Sequence, residues 1–138
     1  MYRLGKRSMA NLVGVHPIMS FAVTEAIKIT RQDFTVLEGV RTMQRQKQLV
    51  ANGSSKTYRS YHLNGLAVDL VPFVNGKLTW EDPYFSAIHT AMKTVIQKYN
   101  LPIDNGFDLW GWDKPHYQMT GKRSEYDIRK LKPKCFRG

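Results

Sequence analysis

The chain has 138 residues, 42% of them hydrophobic, with three Trp, seven Tyr and six Phe. That suits one globular core and leaves little room for a second domain, since domains commonly run about 100–150 residues. The 21 Lys and Arg outweigh 11 Asp and Glu for a net charge of +10, which favours an anionic partner such as nucleic acid, an acidic membrane surface or a phosphate-rich cell wall.

A single cysteine, Cys135, excludes an internal disulfide and a disulfide-stapled scaffold. No stretch approaches the ~20 apolar residues that span a bilayer. The start, Met1 to Ser8, is basic, but Asn11, Gly14, His16 and Pro17 interrupt any apolar run after it. No signal peptide is expected, and the protein is expected to be made in the cytoplasm.

In chain order, Ser8 is a candidate N-cap for a short helix over Met9–Val15. Pro17 suits the first turn of a second helix over Pro17–Thr30, where its missing N–H costs nothing. Ile18, Phe21, Ala22, Ala26 and Ile29 would form its apolar face. Phe34–Leu37 is rich in β-formers and reads as a strand, broken by Gly39. Thr42–Asn52 reads as a third helix stopped by Gly53. Ser54–Tyr61 is a polar loop, and Ala67–Phe73 is a second strand. Pro72 argues that this strand ends there or lies at an edge.

Asn75-Gly76 is a hairpin turn signal. Asp82-Pro83 opens the longest helix, with Asp as cap and an apolar stripe of Ile88, Ala91, Met92, Val95, Ile96 and Tyr99. Asn100 and Pro102 end it. Ile103–Met119 reads as short strands and loops with breaks at Gly106 and Gly111. The chain divides into a domain over 1–120 and a basic tail over 121–138 that holds seven of the cations. Helices and strands mix without βαβ units, so the expected class is α+β: a small, largely antiparallel sheet with helices packed on it.

Three residues carry the chemistry. His62 and Asp69 lie in Ser60-Tyr61-His62-Leu63-Asn64-Gly65-Leu66-Ala67-Val68-Asp69, and His116 ends Asp113-Lys114-Pro115-His116. Two imidazoles and a carboxylate form a three-ligand set that leaves a fourth position on zinc open, as catalytic sites do. Asp113 is a second carboxylate, placed to act as a base. The odd separation of His62 and Asp69 would put them on opposite faces of one straight strand, so the idea requires a bend at Asn64-Gly65. Spacing alone leaves a metal site and ordinary packed histidines both open. His16 and His89 lack partnered carboxylates and read as structural.

The string Ser60-x-His62-x-x-Gly65-x-Ala67-x-Asp69 followed by Asp113-x-x-His116 resembles the zinc peptidases that include D-alanyl-D-alanine carboxypeptidases and dipeptidases and phage L-alanyl-D-glutamate endopeptidases. Gly39-Val40-Arg41-Thr42, Gln46, Leu49, Ala51-Asn52-Gly53 and Ser55 are similar to the segment before the family's first ligand. Val15-His16-Pro17 is similar to the opening of phage endolysins of this group.

The resemblance implies a hedgehog/D,D-peptidase-like single domain and one zinc ion held by His62, Asp69 and His116. It implies Asp113 as the catalytic carboxylate. Arg41 would polarise the scissile carbonyl and hold the oxyanion; the alternative is a surface salt bridge with Glu38. Ser60 would hydrogen-bond substrate or support a ligand. Trp110 and Trp112 are candidates to wall the substrate cleft, with core packing expected for at least one. Only Asp108 and Asp113 are acidic between Gly106 and His116, so the regulatory calcium of some relatives is not carried over.

The implied substrate is the stem peptide of peptidoglycan, an anionic polymer that suits the +10 charge. A monomeric phage endolysin is expected, cutting the L-alanyl-D-glutamate bond after release from the host cytoplasm to the cell wall. The alternative is a D-alanyl-D-alanine carboxypeptidase or dipeptidase. A basic nucleic-acid-binding module or a non-catalytic wall binder is more remote: zinc-finger spacing is absent, and the metal motif is complete.

Overall fold

The computed structural model describes residues 1–55 and 60–120. The basic tail over 121–138, with Cys135, lies outside the described residues. Helix α1 (Lys6–Asn11) is followed by α2 (Pro17–Ile29), strand β1 (Phe34–Glu38) and α3 (Met43–Ala51). A single 3-10 turn (Tyr61–Asn64) leads into β2 (Ala67–Val74), β3 (Lys77–Leu78) and the long α4 (Asp82–Tyr99). Last come β4 (Ile103–Asn105), α5 (Gly106–Trp110) and β5 (His116–Met119).

The strands form one antiparallel sheet in the order β1-β2-β5-β4, with β3 paired to the far end of β2. The expected α+β class with a small antiparallel sheet is therefore what the chain adopts. Period-two alternation divides the sheet's faces. Val68 and Leu70 of β2 join Tyr117 and Met119 of β5 in a core against Met19, Val23 and Ala26 of α2 and Ile88, Met92 and Val95 of α4. Asp69, His116 and Gln118 alternate with those residues and so take the opposite face.

The register along β1 shifts between Val36 and Glu38, and Glu38 stands opposite Asp69. Without the shift, Glu38 would share the core face with Phe34 and Val36, both buried. The irregularity turns it towards Asp69, a common use of bulges beside functional sites.

Several expected boundaries hold. Pro17 starts α2, Thr42 caps α3 through its hydroxyl, and Asn75-Gly76 makes the β2–β3 hairpin with φ of 52° and 78°. These local signals act within a few residues, so tertiary packing does not override them.

Others differ. Ser8 is not a cap: it lies inside α1, buried, and its hydroxyl accepts the Val36 N–H at 2.9 Å, tying the helix to β1. The buried side of α2 is Met19, Ala22, Val23, Ala26 and Ile27, while Ile29 is exposed; α2 is rotated so that this side joins the core. Glu81, not Asp82, is the N-cap of α4. Pro72 neither ends β2 nor puts it at the edge; β2 runs on to Val74, and β5 pairs only with Ala67–Asp69. Pro72 thus lies beyond the β5 ladder and forfeits no bond there. Gly106 begins α5 rather than breaking the chain.

Candidate metal centre

His62 reaches the sheet through the bend the motif required. Ser60 Oγ accepts the His62 backbone N–H at 3.2 Å and starts the 3-10 turn. Gly65 ends it in the left-handed region with φ of 70°, which glycine adopts without steric cost. A Cβ there would also approach the Gly14 carbonyl oxygen to 2.5 Å. The chain then enters β2 at Ala67, and His62 folds back towards Asp69.

Asp69 and His116 are direct cross-strand partners on β2 and β5. His116 Nδ1 lies 3.3 Å from Asp69 Oδ1, and His62 Nε2 lies 3.4 Å from the same oxygen. The candidate ligand atoms of all three residues lie within 4.8 Å of one another. The outer nitrogen of each ring is held by an oxygen: His62 Nδ1 by the Gly39 carbonyl at 2.9 Å, and His116 Nε2 by Gln118 Oε1 at 2.9 Å. Both oxygens are acceptors, so each outer nitrogen carries a hydrogen, and the inner nitrogen is left to donate to Asp69 when the ring is protonated or to present a lone pair to a cation when it is neutral. Two imidazole nitrogens and a carboxylate converging on one point call for positive charge there, from protonated rings or from a cation. The donor set fits a divalent cation.

The electrostatics agree. Burial would raise the Asp69 carboxyl, yet the charge of His62 and hydrogen bonds with His116 and His62 hold it well below the usual carboxylate range. Burial would lower the His116 imidazole, but its bond to Asp69 and that carboxylate's charge lift it above the ordinary value. The site stabilises positive charge.

Arg41 is anchored beside it. Its Nε and Nη2 donate to the two Glu38 oxygens at 2.7 and 2.9 Å, and Nη1 donates to Gln46 Oε1 at 2.8 Å and Ser60 Oγ at 3.3 Å. Nη2 lies 4.0 Å from Asp69 Oδ2. The Glu38 pair exists, but the arginine side chain is only 9% exposed, so it is no surface salt bridge. Gln46 is fully buried and donates onward to Ser55.

Asp113 sits in the left-handed region with φ of 63°, which Asp tolerates better than most residues. Its carbonyl accepts the His116 N–H at 3.2 Å, closing the turn that contains Pro115. Burial raises its carboxyl above the ordinary value; Asp69 adds to the rise, while His116, His62 and Arg41 oppose it. The carboxyl therefore shares the electrostatic environment of the triad. Trp110 and Trp112 are 48% and 63% exposed, so neither packs in the core. The Trp110 ring lies 5.4 Å from that of His116 and 6.0 Å from that of Trp112.

Sequence reasoning passed over three supports. Gln118, two residues after His116 on a strand, necessarily shares its face, and that signal was available. Asn105 is buried and donates to the Lys114 and His116 carbonyls at 2.9 and 3.1 Å, holding the loop between Asp113 and His116. Gly106 lies against that loop, where a Cβ would come within 2.4 Å of the Asp113 carbonyl oxygen. The spacing of Asn105 and Gly106 gave no sign of either role. His16 and His89 lie apart from the triad: His16 Nδ1 accepts the Ile18 N–H at the start of α2, and His89 pairs with Asp108 at 3.4 Å.

The family model for phage L-alanyl-D-glutamate peptidases matches residues 1–131. The chain belongs to that family. It is therefore a peptidoglycan peptidase. Family members with similar sequences include the L-alanyl-D-glutamate peptidase of Escherichia phage T5, 30% identical over 130 residues, covering 91% of this chain and 93% of that one. The enzyme of the same name from Listeria phage A118 is 36% identical over 88 residues, covering 63% of this chain and 30% of the relative. Among solved structures, the Serratia marcescens L-Ala D-Glu endopeptidase ChiX matches with a TM-score of 0.80 and 37% identity, over 86% of this chain and 90% of that one. Among the described residues, no helix is long and apolar enough to cross a membrane.

Proposed function

We propose that this peptidase is a zinc enzyme that hydrolyses the L-alanyl-D-glutamate bond of the peptidoglycan stem peptide during host cell lysis. The observation that carries the reading is the convergence of His62, Asp69 and His116 within 4.8 Å, beside an anchored arginine and a second carboxylate. The bond itself follows from the family and from relatives named for it.

His62 Nε2, His116 Nδ1 and an Asp69 oxygen would hold the ion. When bound, it supplies Lewis acidity, making water more acidic and a carbonyl carbon more electrophilic. Asp113 takes the proton of the attacking water and delivers it to the departing amine nitrogen. A carboxyl raised by burial suits that exchange, because its proton affinity lies nearer the operating pH. Arg41, held by Glu38 and Gln46, presents a fixed positive charge to the oxygen that turns negative in the transition state. Ser60 fixes both His62 and Arg41 through one hydroxyl. The basic surface favours the anionic wall, reached after release from the host cytoplasm, and the enzyme acts as a monomer.

The test is mass spectrometry of fragments released from purified Gram-negative peptidoglycan, with and without a chelator. Chelator-sensitive release of stem peptides that begin at D-glutamate is expected. Release of free D-alanine alone would instead make the enzyme a carboxypeptidase.

A further inference from the structure

A cleft of about 480 Å³ opens beside Asp113. Its walls are the rings of Trp80, Phe85, Phe107 and Trp112, and Asp113 itself lines it. Trp80, Phe107 and Trp112 are 58%, 45% and 63% exposed, so these rings face solvent. Trp80 and Phe85 stand 6.5 Å apart, ring centre to ring centre. Through Trp112, Trp110 and His116 a file of neighbouring rings joins the cleft to the triad. The Lys114 ammonium lies 3.1 Å from Asp82 Oδ1 and 5.3 Å from the centre of the Phe107 ring.

We propose that this cleft is a saccharide subsite, which seats the N-acetylated amino sugar of the glycan strand to which the stem peptide is attached. The inference rests on the L-alanyl-D-glutamate reading above and extends it from peptide to glycan.

The shape, polarity and charge of the cleft select a sugar. Pyranose faces present C–H groups that pack on aromatic rings, and Trp offers a large rigid surface with a polar edge. A few convergent polar groups among apolar walls give orientation; here Asp82 and Lys114 can meet hydroxyl and acetamido groups. Charge then excludes the other half of the substrate. The D-glutamate side carries free carboxylates, whereas Asp82 and Asp113 line the cleft against the single ammonium of Lys114, itself paired with Asp82. Like charges disfavour that placement. The sugar's own carboxyl is consumed in the amide to L-alanine, so the sugar is neutral there.

Reach also fits. One residue, L-alanine, separates the sugar's acyl group from the scissile carbonyl, a span of about 3.5 Å. Asp113 belongs to the cleft and to the site, so sugar and bond can be held together.

The experiment compares two substrates with the zinc-loaded full chain: the bare stem peptide, and the same peptide on its N-acetylglucosaminyl-N-acetylmuramic acid disaccharide. Wild type is expected to favour the glycosylated substrate in kcat/KM by about tenfold or more. In Trp80→Ala that ratio should fall towards one, with Trp80→Phe between and the melting temperature held. A wild-type ratio near one, or a Trp80→Ala loss equal on both substrates, overturns the subsite. If wild type cuts neither substrate, the bond assignment fails, and titration with the peptide-free disaccharide decides the subsite separately. A tryptophan fluorescence change that Trp80→Ala abolishes would uphold it; no change in wild type would overturn it.

Discussion

Asp69 and His116 stand directly opposite each other on β2 and β5, and their side chains meet at 3.3 Å. His62 arrives at the same Asp69 oxygen from a turn outside the sheet. Two of the three candidate ligands are therefore held by a hydrogen-bonded ladder, and the third by a capped turn.

His116→Ala or His62→Ala should lose zinc and activity together, because two ligands do not hold the ion in competition with water. Gln118→Ala should keep the ligand set yet weaken zinc by about 10–100-fold, the usual cost of losing an outer partner. Metal analysis after dialysis against graded chelator reads both. Full zinc retention in His116→Ala would remove it from the ligand set.

Asp113→Ala should bind zinc as wild type does and lose turnover by about 10²–10⁴-fold. In the proposed mechanism its carboxyl acts on protons, not on the ion. Steady-state kinetics with matched zinc content checks this, and near-normal turnover would take Asp113 out of the base role.

Arg41→Ala should lower turnover with zinc retained, and should also destabilise by about 1–3 kcal/mol as Glu38 and Gln46 lose their partner. Arg41→Lys should regain part of the stability but less of the rate, since an ammonium lacks the two-pronged fork. Melting temperature and kcat measured together separate the effects. Lower melting with unchanged kcat would make Arg41 purely structural.

Gly106→Ala should cost about 10²-fold in turnover, the scale of a small misplacement of reacting groups. The added Cβ meets the Asp113 carbonyl oxygen at 2.4 Å and the Asp113 and His116 Cβ atoms at 3.1 Å, so the loop must shift. Single-turnover kinetics at saturating zinc tests it; wild-type rates would show that the loop yields freely.

His16 predicts a pH dependence of stability. Burial lowers its imidazole from the ordinary 6.5, and its Nδ1 accepts the Ile18 N–H only while unprotonated. The folded value lies below the unfolded one. The stabilisation is therefore complete above about 6.5 and is lost as pH falls from there through the folded value. His16→Asn keeps a capping acceptor without titrating, so denaturant melts between pH 7.5 and 5 should show a smaller acid loss than wild type. Equal losses would assign the effect to other groups.

The short-range features are written in the local sequence: Pro17 opening α2, Thr42 capping α3, the Asn75-Gly76 hairpin and the stop at Asn100. Each is decided by backbone conformations and hydrogen bonds within about four residues. The candidate ligand types are legible there too, and so is the bend at Asn64-Gly65, which the turn ending at Gly65 makes. Which faces those elements present depends instead on long-range packing. The irregularity after Val36 turned Glu38 out of the core, α2 buried Met19 and Ile27 in place of Ile29, and Trp110 and Trp112 stayed in solvent. The Asp69–His116 contact joins residues 47 apart in the chain, and Asn105 and Gly106 matter only because the Asp113 loop folds onto them. Contacts of that kind come from packing the whole sheet against α2 and α4, and no local spacing encodes them.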